Sequence, residues 1–312
     1  MAVEKVVIAV AAAMFGGPAV LPLAGTAPGD APPPATATGL DSPADSAADH
    51  SAVNHYVALG DSYTSGPLVP EQRPEIPGCA RSTGNYPSLL AQRLDVAEFT
   101  DVSCGGASTE HMTAPQEVDG GPNPPQLDAL RADTDLVTLG IGGNDHNVFG
   151  RFITTCPPLR EQDPAGAPCR EQFTVDGVDT LVRDATGTGH RIATVLEEIH
   201  RRSPDARVVV MGYPRLVPEQ GTCPDVMPFA DGDLRWWDDV ETALNTAIEK
   251  AVSADGKATF VDMYPSSRGH DACAWDAAWI QGQHDDPEAA ARYHPRPSGM
   301  TGMADAAARA IG

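Results

Sequence analysis

The sequence predicts an α/β protein, a three-layer α/β/α sandwich built on a five-stranded parallel sheet. Two observations carry that expectation. Five short apolar runs have strand character, and helical patterns separate them, an alternation that favours parallel pairing through crossover helices. The runs are also continuous instead of alternating, as strands covered on both faces must be.

The first run is 55–60 (HYVALG). A helix over 86–96 follows, with Tyr86, Leu89, Leu90 and Leu94 at three- to four-residue spacing. The second and third strands are expected at 99–103 and 136–141 (LVTLGI). Residues 173–202 form one long helix or two, since Gly187 and Gly189 fall inside the pattern. The fourth strand, 207–211 (RVVVM), precedes a helix at 234–252 with Asp231 and Asp233 as possible caps. A fifth strand at 258–263 and a last helix at 300–311, with Ser298 as its N-cap, complete the domain. No internal repeat is evident.

The chain has 312 residues, 21 basic and 43 acidic, for a net charge of −22. That balance excludes nucleic acid as a partner, because phosphate binding needs clustered Lys and Arg. It also disfavours docking on anionic lipid. A composition of 41% hydrophobic and 21% charged residues is globular.

Residues 6–15 (VVIAVAAAMF) follow Lys5, and Gly25-Thr26-Ala27 offers small residues for cleavage. This reads as a secretory signal peptide over 1–27. Gly16, Gly17 and Pro18 break the run too early for it to span a hydrocarbon layer of ~30 Å, so no stable membrane anchor is expected. Residues 28–53 are rich in Pro, Ala, Ser, Thr and Asp and read as a disordered leader, leaving 54–312 as the folded domain. Six scattered cysteines agree with export. None forms a CxxC pair, so no metal site is expected. Connectivity is open from sequence alone. Sequential pairing closes the shortest loops: Cys79–Cys104, Cys156–Cys169 and Cys223–Cys273.

In open parallel sheets, ligands bind beyond the carboxyl ends of the strands. The first strand runs into Gly60-Asp61-Ser62-Tyr63, where a serine hydroxyl and its own N–H could attack a carbonyl and hold the resulting oxyanion. Taken alone, Asp61-Ser62 is equally a helix cap. The second strand ends in Cys104-Gly105-Gly106, where Gly106 can present an unobstructed N–H, or simply turn the chain. The third ends in Gly142-Gly143-Asn144-Asp145-His146. Asn144 can aim its amide at an oxyanion, and Asp145 could support it. His146 reads as a surface neighbour. Tyr293-His294-Pro295 precedes the last helix, and a lone loop histidine is usually solvated.

Together, the order GDSY, CGGAST, GIGGND and YHP resembles the four blocks of the SGNH hydrolases, or GDSL esterases and lipases, over roughly 54–312. The spacing and cysteines are most similar to secreted actinomycete lipases and esterases. The resemblance implies a flavodoxin-like fold. It also implies Ser62 as nucleophile and His294 as general base, with an oxyanion hole from the Ser62 N–H, the Gly106 N–H and the Asn144 side chain. The family's usual Asp three residues before the histidine is replaced by Ala291. Some secreted relatives hold the histidine with a main-chain carbonyl, which points to Ala291 or Arg292 here. Asp276, Asp285 and Asp286 are the carboxylates that could substitute, and each is expected to tolerate alanine.

The implied function is a secreted, monomeric serine esterase or lipase acting on a small-molecule or lipid acyl ester without cofactor. A carbohydrate acetylesterase or phospholipase is the alternative within enzymes, and a non-catalytic binding protein the alternative outside them. No GxSxG elbow, HExxH, P-loop or GxGxxG supports another chemistry. Trp236, Trp237, Trp275 and Trp279 are the large side chains available for an acyl groove, with at most one of the first two expected in the core. The segment 67–87 and the loop 156–169 are expected to border the site.

Overall fold

The computed structural model describes residues 53–312. The expected signal segment and all of the leader except Val53 therefore lie outside the described residues. Five parallel strands form the sheet: β1 His55–Gly60, β2 Glu98–Asp101, β3 Leu136–Gly140, β6 Arg207–Met211 and β7 Ala258–Val261, in the order β2-β1-β3-β6-β7. Between β3 and β6 lie helices α3 Val148–Thr155, α4 Pro168–Phe173 and α5 Thr180–Arg202, with a small hairpin of β4 Thr174–Val175 and β5 Val178–Asp179. The remaining helices are α1 Ser62–Ser65, α2 Tyr86–Arg93, α6 Asp231–Asp255, α7 Met263–Ser266 and α8 Pro297–Ile311.

Alternate strand residues feed two separate cores. Val57, Leu59, Val137, Leu139, Val208 and Val210 pack with α5 and α6 through Ile192, Leu196, Leu244 and Ile248. Tyr56, Ala58, Leu136, Val209 and Met211 pack with α2 and α8 through Tyr86, Leu90, Met300 and Met303. Both faces are apolar because both are covered, giving the three-layer sandwich.

Several boundaries differ from the sequence reading for local reasons. β2 stops at Asp101, because Ser103 turns its N–H and hydroxyl onto the Asp101 carboxylate at 3.1 and 2.6 Å. β7 stops at Val261, because Asp262 caps α7 through the Tyr264 N–H. The segment 173–202 is the end of α4, a hairpin and one helix. Gly187 and Gly189 do not break that helix; a Cβ on Gly189 would lie 3.0 Å from the Ala247 carbonyl, so the glycine permits close α5–α6 packing. Asp231 and Asp233 lie inside α6 instead of capping it. The Asp233 carboxylate accepts the N–H groups of Cys169 and Arg170 and so caps α4 from the neighbouring helix. Ser298 does not cap α8. Its hydroxyl donates to the Ala278 carbonyl, and the helix starts at Pro297 after Arg296.

Trp236 and Trp237 are both buried, contrary to the expectation of one. The α3–α4 excursion covers the flank of α6. Phe152 stacks on Trp237 at 4.0 Å, and the Trp236 indole N–H donates to Asp179 at 2.6 Å. The structure pairs Cys79 with Cys104, Cys156 with Cys169 and Cys223 with Cys273.

Removing the borrowed cap leaves two N–H groups without an acceptor. Asp233→Ala is therefore expected to cost about 1–2 kcal/mol, read by urea unfolding with the disulfides intact; an unchanged midpoint contradicts the assignment.

Candidate active site

Four segments meet beyond the carboxyl end of the sheet, each hydrogen-bonded to another. β1 and β3 pair to their last residues, Gly60 beside Gly140. The Asp61 N–H then donates to the Gly140 carbonyl at 2.9 Å. A Cβ on Gly60 would lie 2.6 Å from that carbonyl and 2.2 Å from the Thr64 hydroxyl, so only glycine fits. The Cys104 N–H donates to the Gly60 carbonyl, bringing in the second glycine-rich segment. That segment is pinned by the Cys79–Cys104 disulfide and by the Gly105 N–H on the Cys79 carbonyl.

Ser62 is the first residue of α1, half-buried, with Asp61 as N-cap accepting the Tyr63 N–H at 2.9 Å. The Ser62 N–H therefore lacks an intrahelical partner, as first-turn donors do. Gly106 is exposed and adopts a left-handed conformation, φ 75°. Among the described residues, the N–H groups of Ser62 and Gly106 find no hydrogen-bond acceptor. Asn144 donates one amide hydrogen to the Ala107 carbonyl at 2.9 Å, which keeps its amide against the second segment with one N–H still free to donate. Asp145 does not support Asn144. It accepts the N–H and hydroxyl of Thr109 at 2.8 and 2.7 Å, locking the second segment to the third. His146 is exposed.

Tyr63 carries the fourth connection. Its hydroxyl donates to the Tyr293 carbonyl at 2.7 Å, and its ring lies 5.5 Å from the His294 ring. His294 Nδ1 lies 2.8 Å from the Arg292 carbonyl, which leaves Nε2 as the outer nitrogen. The Ala291 carbonyl is not the orienting group, since it accepts the His294 main-chain N–H instead. Asp285 accepts the Arg292 N–H at 2.8 Å, so a carboxylate holds the residue that holds the histidine. Asp276 is exposed, and Asp286 accepts the Glu288 N–H. Burial lowers the His294 pKa below its ordinary 6.5, opposed by the Arg292 carbonyl and the Asp285 charge. The Ser62 hydroxyl makes no hydrogen bond to His294, a contact that often tightens only with substrate bound.

Three participants escape the sequence reading. The Gln126 side chain, fully buried, accepts the Gly60 N–H at 2.7 Å and donates to the Gly60 carbonyl at 2.9 Å. No local pattern signals a glutamine 66 residues away. Tyr63 and Tyr213 are the others. Tyr213 lies two residues beyond β6, and extending the strand-end search to that strand would have reached it. Of the tryptophans, Trp236 and Trp237 belong to the core, Trp279 stacks on His270 at 4.6 Å, and Trp275 is 68% exposed. Trp275 borders an open groove with Ile280, Gln281 and Arg296. That groove adjoins the His294 segment, where the Gln281 N–H donates to the His294 carbonyl.

The family model for the GDSL-like lipase/acylhydrolase family matches residues 58–301. Lipase 2 of Streptomyces coelicolor is 38% identical over 230 residues, covering 72% of this chain and 75% of that one. An esterase of Streptomyces scabiei is 36% identical over 249 residues, covering 70% and 72%. An extracellular lipase from Streptomyces rimosus superposes with a TM-score of 0.68 at 27% identity, over 82% of this chain and 99% of that one. Phospholipase A1 from Streptomyces albidoflavus gives 0.66 at 26%, over 83% and 100%.

Two outcomes are expected. Because burial dominates at His294, its imidazole stays neutral somewhat below pH 6.5. The acid limb of kcat/KM on a soluble ester, followed by pH-stat, should fall below that value; a limb above it contradicts the reading. Asp276→Ala and Asp286→Ala should leave kcat within about twofold, while Asp285→Ala, revising the expectation that it tolerates alanine because its carboxylate holds the Arg292 N–H, lowers it about tenfold, well short of the ~10⁴ lost with a direct triad carboxylate.

Proposed function

The chain belongs to the GDSL-like lipase/acylhydrolase family and is a carboxylic ester hydrolase, and from that premise we propose that Ser62 and His294 perform its chemistry through an acyl-enzyme. His294 Nε2 takes the Ser62 proton as Oγ attacks the ester carbonyl. The oxyanion that forms is held by the N–H groups of Ser62 and Gly106 and by the free amide hydrogen of Asn144. As the tetrahedral intermediate collapses, the imidazolium returns its proton to the leaving alcohol. Water, activated by the same nitrogen, then releases the acid.

The observation that carries this reading is the pair of main-chain donors at Ser62 and Gly106, without acceptors among the described residues, on segments otherwise stapled to one another. A donor pair fixed before the charge develops costs no reorganisation during the reaction. The Arg292 carbonyl selects the tautomer with the proton on Nδ1, leaving Nε2 free to accept.

The substrates we propose have short to medium acyl chains and are uncharged or zwitterionic, the latter because a net charge of −22 opposes binding to anionic lipid surfaces. Phospholipids are the second reading, supported by the likeness to the Streptomyces albidoflavus phospholipase A1. Export is part of the proposal, supported by the three disulfides.

A fluorophosphonate probe should label Ser62 and nothing in Ser62→Ala. Labelling that persists in the variant refutes the assignment. Asn144→Ala should lower kcat about 10²–10³-fold. Rates on p-nitrophenyl esters from acetyl to palmitoyl should peak at short to medium chains. A maximum at palmitoyl identifies a long-chain lipase instead.

A further inference from the structure

One polar side chain touches both halves of the proposed site and belongs to neither. Tyr213 follows β6, which supplies none of the four segments. Its main chain is clamped by α6: the Tyr213 N–H donates to Asn245 Oδ1 at 2.8 Å, and Asn245 Nδ2 donates to the Tyr213 carbonyl at 3.0 Å. Its ring is 3% exposed and packs against Tyr63 at 5.2 Å and Phe149 at 5.5 Å. From there the hydroxyl reaches across β3. It accepts the Gly143 N–H at 2.8 Å and donates to Asp61 Oδ2 at 2.5 Å.

Gly143 immediately precedes Asn144, and Asp61 immediately precedes Ser62. The β1–β3 ladder ends at Gly60 and Gly140, and the Asp61 N–H on Gly140 is the last main-chain bond between the two segments. Beyond it, their relative position depends on side chains. The approach is close: a Cβ on Gly143 would lie 3.1 Å from the Tyr213 hydroxyl and 2.9 Å from the Phe149 ring. With Asp61 ionised, the hydrogen bonds have one direction, running from the Gly143 N–H to the hydroxyl and from the hydroxyl to the carboxylate. The other Asp61 oxygen accepts the Tyr63 N–H. The Gly143 N–H, the Tyr213 hydroxyl and the Tyr63 N–H thus each have an acceptor.

We propose that Tyr213 is a positioning residue that sets the distance between the nucleophile and the side-chain member of the oxyanion hole, by joining the residues that precede Ser62 and Asn144 through one hydroxyl. It touches neither substrate nor reacting atoms. A displacement of about 1 Å between catalytic groups is enough to cost ~10²-fold, so the effect belongs in turnover and not in ground-state binding. The inference rests on the acyl-enzyme reading above.

Tyr213→Phe keeps the ring and removes the link. Expected are a kcat lower by about 10–100-fold, KM within threefold, and a boronic-acid inhibitor weakened in parallel with kcat/KM. Slower fluorophosphonate labelling of Ser62 should accompany these. A folded Tyr213→Phe with wild-type kcat and boronate affinity overturns the proposal, as does a loss carried wholly by KM. Asp61→Asn is the second variant, should the first not fold. It keeps the volume but faces the hydroxyl with an amide donor, reversing the direction of the chain. The same kcat-selective loss is expected, and wild-type turnover overturns the proposal. Mass-spectrometric location of the probe on the wild-type enzyme separates the two failures. No adduct on Ser62 defeats the acyl-enzyme reading, whereas an adduct formed at wild-type rate in Tyr213→Phe defeats only the role of Tyr213.

Discussion

The proposed reactive end of this protein is built on the close approach of β1 and β3 at Gly60 and Gly140. The two strands pair to their final residues, and no side chain can stand between Gly60, the Gly140 carbonyl and Thr64. The chain must then leave the sheet, which frees main-chain groups in a buried place. Such groups cost about 1–3 kcal/mol each if left unpaired. The structure satisfies them with Gln126 on Gly60, Cys104 on the Gly60 carbonyl and Asp61 on Gly140. Ser62 and Gly106 follow directly, with N–H groups left over at the surface. The donors proposed to bind an oxyanion are thus a by-product of ending two strands at one point.

The carboxylates divide into two populations. Most of the acidic excess is exposed, and the pairs it makes, such as Arg131 with Glu98, contribute little individually. Asp61 and Glu241 are instead buried beneath the site. Burial pushes Asp61 up to about 7 and raises Glu241 well above its usual range. Tyr213 and the Tyr63 N–H oppose that shift at Asp61, and the Leu216 N–H opposes it at Glu241. The charge that dominates the composition is therefore a property of the surface. The groups that organise the site are few, and their partners are hydroxyls and N–H groups.

The disulfides fix loops and not the sheet. Cys79–Cys104 holds the segment that carries Gly106, and Cys156–Cys169 closes the excursion that covers Trp236 and Trp237. Cys223–Cys273 ties the connection after β6 to the segment preceding Trp275. Long surface excursions have little secondary structure to hold them, and cross-links restrict what helices and strands do not.

The central strands β1, β3 and β6 were legible from sequence because strands buried on both faces are apolar at nearly every position, whereas β2 and β7 are partly exposed edges. The strand-end rule, with the family resemblance, singled out Ser62, Gly106, Asn144 and His294 as candidates. The ends of elements were not legible, since distant residues decide them: Asp233 caps α4 from α6, and Ser103 ends β2 on Asp101. Whether one or both of a tryptophan pair is buried depended on an excursion some 80 residues upstream in the chain. The choice of Arg292 over Ala291, and the service of Gln126, Tyr63 and Tyr213, also belong to the tertiary structure. Hydrophobic pattern is local and periodic, so one sequence records it. A hydrogen bond between residues 66 or 230 apart depends on where the fold brings the chain back, and only packing decides that.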